Sequence, residues 1–485
     1  MDARARVRLG AVTGPTTIPH SEIVRDGVVD RLDAEFFRGE IIALEKDLAD
    51  RGGQPVRAVA SLASDHVADP KKWDSGEPSF PYIEISGVDT YDGFVLSEEV
   101  PLQDAPSRAR LDLKAGQVAL SSVRPNRNHV FLITPDLDRA VGSTGLIVLN
   151  VEGEAVPPEA LFVLLKARVV VDQLDRRARA SMYPTLHPSD VLDVTLPPAR
   201  AGVIEEIVAL VRKAESVRAE FVQLARTMQE TVDSSFESMM PHALVDDLRR
   251  SSPSLRLRSS LGLGKRGGVR LDAEYYRDAY EAAHERLRKA GDVAQLGQIV
   301  SLLATGKSPS EARFYEDDTE GPAMIKVGAL SGLGINWPRL QFIGSSWSSA
   351  VPPVREGDVL FNSTAHEPGY IAHRVDVVGK IPDEFKNRLS CVADIMRLRV
   401  KDPKAVPPHY VAAFLRNPLG REQIRRCTCG VRGHVYESDL RRSVVVPLPR
   451  PDLAERVSEA ASALETARWR YRSLVREAIS IADSL

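Results

Sequence analysis

The chain repeats itself. Residues 31–38 read RLDAEFFR and residues 270–277 read RLDAEYYR, an offset of 239 in a chain of 485. A near-identical octamer at half the chain length points to two copies of one supersecondary plan rather than a single undivided core. The copy runs on past the octamer. Asp33 stands where a side chain caps a helix, Phe37, Ile41, Leu44 and Leu48 follow at helical spacing, and Gly52 closes the segment. Tyr276, Tyr280, Ala283, Leu287 and Gly291 occupy the same places in the second copy.

Beyond this helix both halves turn β-like. PYIEISGVD (81–89) precedes LKAGQVALSSVRPN (113–126), and AMIKVGALSG (323–332) precedes VREGDVLFNSTAHEPG (354–369). Each pair has a Gly turn, a short β-branched strand and then a polar loop. A further strand comes next, GLIVLNV (145–151) or ADIMRLRV (393–400). A short helix then starts at a double proline, PPEALFVLLKA (157–167) or PPHYVAAFLRN (407–417), since proline suits the first helical turn. Each half closes on a β-segment running into a Pro-rich hinge, VLDVTLPPA (191–199) or SVVVPLPRP (443–451).

Each hinge opens a long helix with a heptad pattern. Ile207, Ala214, Phe221 and Met228 read as a positions and Val203, Leu210, Val217 and Leu224 as d. In the second copy Leu453, Ala460, Ala467, Leu474 and Ile481 are a, while Val457, Leu464, Tyr471, Ala478 and Leu485 are d. Narrow a/d seams predict helices that pack on each other or on a partner, with Ile207, Leu210, Val217, Phe221, Leu224, Val457, Leu464, Tyr471 and Leu474 in the contact. From Val203 to Thr231 such a helix spans roughly 40 Å. The fold class expected is α+β: two pseudo-repeated domains of mixed β-structure with short helices, separated by two long antiparallel coiled-coil helices. The boundaries read as a first domain over 1–198, a first long helix over 199–243, a linker plus second domain over 244–449, and a second long helix over 450–485. The Ser-, Arg- and Gly-rich stretch 244–268 is the linker.

Composition removes several classes. Hydrophobic residues at 43% exclude global disorder. Lys and Arg number 64 against 67 Asp and Glu, a net charge of −3, so a nucleic-acid surface here has to be a local patch. The cysteines Cys391, Cys427 and Cys429 are too few for a disulfide framework and fit a cytoplasmic protein. No run of about 18 apolar residues is present, and MDARARVRLG lacks a signal-peptide core, so neither membrane nor export is expected.

Catalytic lookalikes fail on context. Gly262-Leu-Gly264-Lys-Arg-Gly267 follows a polar segment instead of the buried strand that a dinucleotide site needs. Gly306-Lys307-Ser308 has Ser301 where a phosphate loop has its first glycine. The contiguous Pro382–Lys386 stretch cannot bring nuclease carboxylates and a lysine together from separate strands. Cys427-Thr-Cys429 is half a zinc site. No metal and no cofactor is expected on this chain, and without an assembled catalytic set it is expected to bind rather than react.

The ordered series SLLATGKSPSEARF (301–314), AMIKVGALSG, VREGDVLFNST and VVVPLPRPDLAERV (444–457), matched by PYIEISGVD, LKAGQVALSSV and VTLPPARAGVIEEI (194–207), resembles the specificity subunit of type I restriction–modification systems. The resemblance implies two target recognition domains, each reading one part of a split double-stranded DNA site, with the helices acting as a ruler. It also implies partners: methyltransferase subunits, two in number, and a translocating endonuclease subunit. These would carry S-adenosylmethionine, ATP and magnesium. A two-domain DNA-recognition subunit of another phage-defence or modification complex is the alternative, and a nuclease is a third reading.

Within that reading, base edges call for forked donors and amides. The loop Arg124, Asn126, Arg127, Asn128, with His129 behind it, offers them in the first half. Asn362, Ser363, Thr364 and His366 stand in the matching loop of the second. Arg176, Arg177 and Arg179, and Arg421, Arg425, Arg426 and Arg432, suit phosphates, as do Lys307 and Ser308 on their turn. Tyr183 and Tyr436 either stack on a displaced base or cap the core, and the core is favoured for both.

Overall fold

The computed structural model describes residues 24–25, 28–29, 36–67, 69–73, 77–179, 183–237, 275, 278–308, 314, 321–332, 334–344, 353–365, 370–430 and 433–485. The Gly262–Gly267 stretch lies outside them. Two compact units form. One comprises residues 1–219 with 468–485, and the other residues 220–467. Each unit therefore takes a part of both long helices, a division that hinge positions alone do not give.

In the first unit the helix Gly39–Asp50 buries Leu44 and Leu48. An antiparallel sheet runs in the order Ala60–Leu62, Leu146–Val151, Val118–Ser121, Val130–Leu132. A second sheet runs Glu98–Pro101, Ser79–Ile83, Val141–Ser143, Ala109–Asp112. Its central pair is parallel, with Tyr82 opposite Val141. Ile83, Val88, Leu113, Ala119, Phe131 and Val148 form one core and Phe80, Tyr82 and Val141 another. The fully apolar Val118–Leu120 stretch is what burial on both faces of a strand demands.

The second unit repeats the plan. Its first sheet orders Val300–Thr305, Ile395–Val400, Val359–Asn362, Val375–Val377. The second orders Gln341–Phe342, Ala323–Ile325, Leu389–Cys391, and its last pair is again parallel. The short helices Pro158–Lys166 and Arg168–Arg177 of the first unit match Pro408–Arg416 and Pro418–Arg426 of the second.

The repeat extends to single hydrogen bonds. Gln173 donates to the Thr195 carbonyl at 2.8 Å and accepts from the Thr195 amide at 2.9 Å. Gln423 makes the same two bonds to Val445 at 3.1 and 2.7 Å. Arg176 donates to the Phe36 carbonyl and lies 4.5 Å over its ring. Arg426 does so with Tyr275, at 2.6 Å and 4.5 Å. A pair differs in chemistry but not in place: Gln117–Asn150 is a neutral amide bond at 2.8 Å, whereas Asp358–Arg399 is an ion pair at 2.7 Å.

The long helices are Ala201–Glu237 and Pro451–Asp483. Within the first unit they run antiparallel, as expected. The hinge before the first helix sits beside Gln54, which accepts from the Leu196 amide, and Arg51 reaches the Leu485 carbonyl at the same end. At the other end Arg218 and Arg468 both lie over the Phe94 ring, at 5.5 and 4.3 Å. The buried seam differs from the heptad reading by one residue at several positions in one row of each helix. Ile207, Ala214, Val217, Phe221 and Met228 are buried as expected, and Ile204, Val211, Arg218 and Val232 are buried beside them, while Val203, Leu210 and Leu224 are half-buried. In the second helix Leu453, Val457, Leu464, Ala467, Tyr471 and Ala478 are buried as expected, together with Ala454, Ala461, Val475 and Ala482, while Ala460, Leu474 and Ile481 are half-buried. Among the described residues no helix is long and apolar enough to cross a membrane.

Candidate nucleic-acid interface

In both units the central strand of the first sheet delivers the chain to the polar loop, and a neighbouring segment pins that loop. The Leu186 amide donates to the Ser122 carbonyl at 2.7 Å in the first unit, and the Val435 amide donates to the Ser363 carbonyl at 3.0 Å in the second. Val123 then pairs with Thr185, and Thr364 with His434. The result is a small ribbon at the same place in each unit.

In the first unit the loop is a tight turn. Pro125–Arg127 is one turn of 3-10 helix, bracketed by Arg124 (φ 50°) and Asn128 (φ 57°) in left-handed backbone. Left-handed backbone costs a non-glycine residue about 1–2 kcal/mol and persists where the surroundings over-determine it. Here the Arg124 amide donates to the Pro184 carbonyl at 2.7 Å, and the Asn128 side-chain amide to the Lys166 carbonyl at 3.0 Å. Asn126 is exposed at the tip and Arg127 is half-exposed beside it. Arg124 extends over the ring of Tyr183 at 5.4 Å. Arg179 is exposed, 3.4 Å from Asp190.

In the second unit Thr364 Oγ1 lies 2.8 Å from His434 Nδ1, and the His434 ring meets the edge of Tyr436 at 4.7 Å. Tyr370 and His373 stand in similar edge contact at 5.4 Å. Lys307 and Ser308 are exposed on a turn that only glycine permits at residue 306, where a Cβ would lie 2.1 Å from the Cys391 carbonyl. The Lys307 amide donates to that carbonyl at 3.0 Å and the Ser308 hydroxyl accepts from the Ala393 amide at 3.1 Å. The Lys307 side chain is turned to solvent, and the Ser308 hydroxyl keeps its own O–H donor.

Several expected contact residues are occupied inside the protein. Arg176 and Arg177 are buried on Glu45, the first at 2.6 Å, and Arg177 also donates to the Asp193 carbonyl at 3.1 Å. They lock a helix to the hinge instead of meeting phosphate. Arg426 is buried on Tyr275. Asn128 braces its own turn, and Asn362 is buried with its side chain donating to the Tyr370 carbonyl at 2.6 Å. Arg425 points outward, 3.8 Å from Glu422. His366 and Arg432 lie outside the described residues. Two tyrosines expected in the core are on the surface instead: Tyr183 is 61% exposed and Tyr436 53%. Tyr436 stands at the start of the helix Glu437–Ser443, and Tyr183 lies five residues before the helix Pro188–Leu192, next to Pro184. Cys391 and Cys427 are buried, and burial pushes the Cys391 thiol up to about 12, far from a reactive thiolate. Among the described residues no group of His, Cys, Asp and Glu is placed to hold a metal.

No family model matches the chain. A curated relative, the type I restriction enzyme HindI specificity subunit of Haemophilus influenzae, is 22% identical over 147 residues, 30% of this chain. The match spans about a third (32%) of that relative's length. Among solved structures, the HsdS subunit from Thermoanaerobacter tengcongensis is 20% identical, with 89% of this chain and 95% of that one covered at a TM-score of 0.31. The type I restriction–modification S subunit from M. genitalium is 11% identical, with 89% and 94% covered at 0.30. The chain resembles type I specificity subunits in sequence.

Proposed function

We propose that this protein is a DNA-reading specificity subunit whose two units each recognise one half of a bipartite double-stranded site. The observation that carries the proposal is the duplicated frame with unlike side chains at its mouth. The same clamps hold Thr195 and Val445, yet the ribbons present Arg124, Asn126, Arg127 and Tyr183 in one unit and Thr364, His434 and Tyr436 in the other. Equivalent positions with different donors suit equivalent tasks on different sequences. Arginine and asparagine supply the bidentate donors that read guanine and adenine, and exposed aromatics supply faces for apolar contact. Of the arginines and lysine expected at phosphates, Lys307, Arg179 and Arg425 are exposed among the described residues, a local set that suits a chain with a net charge of −3.

Two linked readers bind a split site more tightly than either alone, because engagement of one raises the local concentration of the other. Half-site spacing is then set by protein geometry, in which the long helices are the ruler. In this reading the chain supplies recognition, while adenine methyltransferase subunits and a translocating endonuclease docked on it supply the chemistry and bind S-adenosylmethionine, ATP and magnesium. The test is a map of methylated adenines in a host with and without the gene. Loss of methylation at one bipartite motif is expected. An unchanged map, together with no sequence preference of the purified chain on a randomised duplex library, refutes the proposal.

A further inference from the structure

The reading turn of the first unit is held by an ammonium group that the duplex never meets. Lys166 ends the helix Pro158–Lys166 with a side chain only 2% exposed. Its Nζ donates to the Asn128 carbonyl at 2.9 Å and to the Thr90 carbonyl at 3.0 Å. Asn128 returns the contact through its side-chain amide, which donates to the Lys166 carbonyl at 3.0 Å. A buried ammonium is costly, and an apolar side chain of similar length fills the same space without that cost. What lysine adds is a grip on the carbonyl of a left-handed residue.

The grip continues inward. Thr90 lies between Asp89 and Asp92, both buried. Arg468 binds Asp92 at 2.8 Å and Asp89 at 2.9 Å, and Arg472 binds them at 3.0 and 2.8 Å, so two residues of the second long helix hold the segment that receives Lys166. The Tyr471 hydroxyl donates to the Asp92 carbonyl at 3.3 Å. Arg218 of the first long helix donates to the Val95 carbonyl at 2.6 Å and to Asp136. At the matching place in the second unit stands another cation, Arg416, donating to the Gly332 carbonyl at 2.6 Å. The loop there, from Ser363 to Val375, is four residues longer than from Ser122 to Val130.

We propose that Lys166 is a positioning residue for DNA reading: its ammonium fixes the left-handed turn 124–128, sets the sequence preference of the half-site read by the first unit, and ties that turn to the second long helix through the Asp89–Asp92 segment. The inference rests on the reading of the chain as a DNA specificity subunit. Burial pushes the Lys166 ammonium down to about 8, against the opposing pull of Asp92 and Asp89, so the grip weakens as pH rises through that value.

The experiment selects the full chain on a randomised bipartite duplex library at pH 7 and pH 9. The set is the wild type, Lys166→Met, Lys166→Arg and Asn128→Gly, the last keeping the left-handed backbone while removing the side-chain bond. Lys166→Met is expected to relax discrimination about tenfold in one half-site and to leave the other within about twofold. Asn128→Gly relaxes the same half, and it decides the matter if Lys166→Met does not fold. The wild type loses preference in that half at pH 9, whereas Lys166→Arg keeps it. If the wild type discriminates both halves and Lys166→Met and Asn128→Gly alter neither, or both equally, the positioning role is refuted. A wild type that discriminates neither half refutes the underlying DNA reading instead.

Discussion

Replacing Gln173 by leucine removes a two-point clamp while nearly conserving volume. Gln173 is fully buried, and its side chain satisfies both the amide and the carbonyl of Thr195, at 2.9 and 2.8 Å, where the chain leaves the first unit's β-structure for the hinge. Leucine leaves both backbone groups without that partner. An orphaned buried polar group costs about 1–3 kcal/mol, so two cost about 2–6 kcal/mol. Thr195 is itself half-buried, which places the expectation in the lower part, about 2–4 kcal/mol. The readout is hydrogen exchange by mass spectrometry along a denaturant series. The Thr195 amide is expected to lose protection in Gln173→Leu while Val445 keeps it, and Gln423→Leu is expected to do the reverse. A loss below about 1 kcal/mol, or equal deprotection of both hinges by either variant, refutes the claim that these glutamines are equivalent and local.

Burial pushes Asp376 up to about 6, opposed by the Gly334 and Gly332 amides. The folded second unit thus keeps its proton where the unfolded chain has lost it. The resulting stability is present below about pH 4 and is lost as pH rises toward 6, by about 3 kcal/mol in all; Asp376→Asn is expected to flatten that slope in thermal melts between pH 4 and 7. In the first long helix Val211→Asp should destabilise the first unit by several kcal/mol more than Leu210→Asp, because Val211 is buried and Leu210 half-buried; equal melting temperatures would restore the heptad reading. Phe236→Ala should cost about 3–5 kcal/mol in denaturant unfolding of the second unit, since its buried ring sits 5.7 Å from Tyr410 and 5.5 Å from Phe414.

The repeat, the strands and the proline-started helices were legible in the sequence because each is set by local periodicity and turn chemistry. The seam was legible only to within one residue. Leu210 beside Val211, Ala460 beside Ala461 and Leu474 beside Val475 are adjacent apolar pairs, so a 3–4 spacing can be threaded through either member. Arginine function was less legible still. Arg425 and Arg426 are neighbours about 100° apart around a helix, and one faces solvent while the other stacks on Tyr275. Arg176 and Arg177 find Glu45, which lies 131 residues earlier for the first of them, a partner no local pattern announces. Asn128 and Asn362 carry the chemistry of base readers but spend it on the carbonyls of Lys166 and Tyr370, and only three-dimensional accounting of carbonyls reveals this.

The division of the chain into units has a consequence for how the protein is made. The first unit includes residues 468–485, whose Arg468 and Arg472 neutralise the buried Asp89 and Asp92. A ribosome that has released residue 219 must add roughly 250 more residues before that segment appears, which takes on the order of half a minute at about 5–20 residues per second. Throughout that interval the first unit lacks the two guanidiniums that pair with these carboxylates, and Lys166 is a cation of residues 1–219 whose charge acts on both. The second unit is the unbroken run 220–467, so its last residue emerges 18 residues before the first unit's.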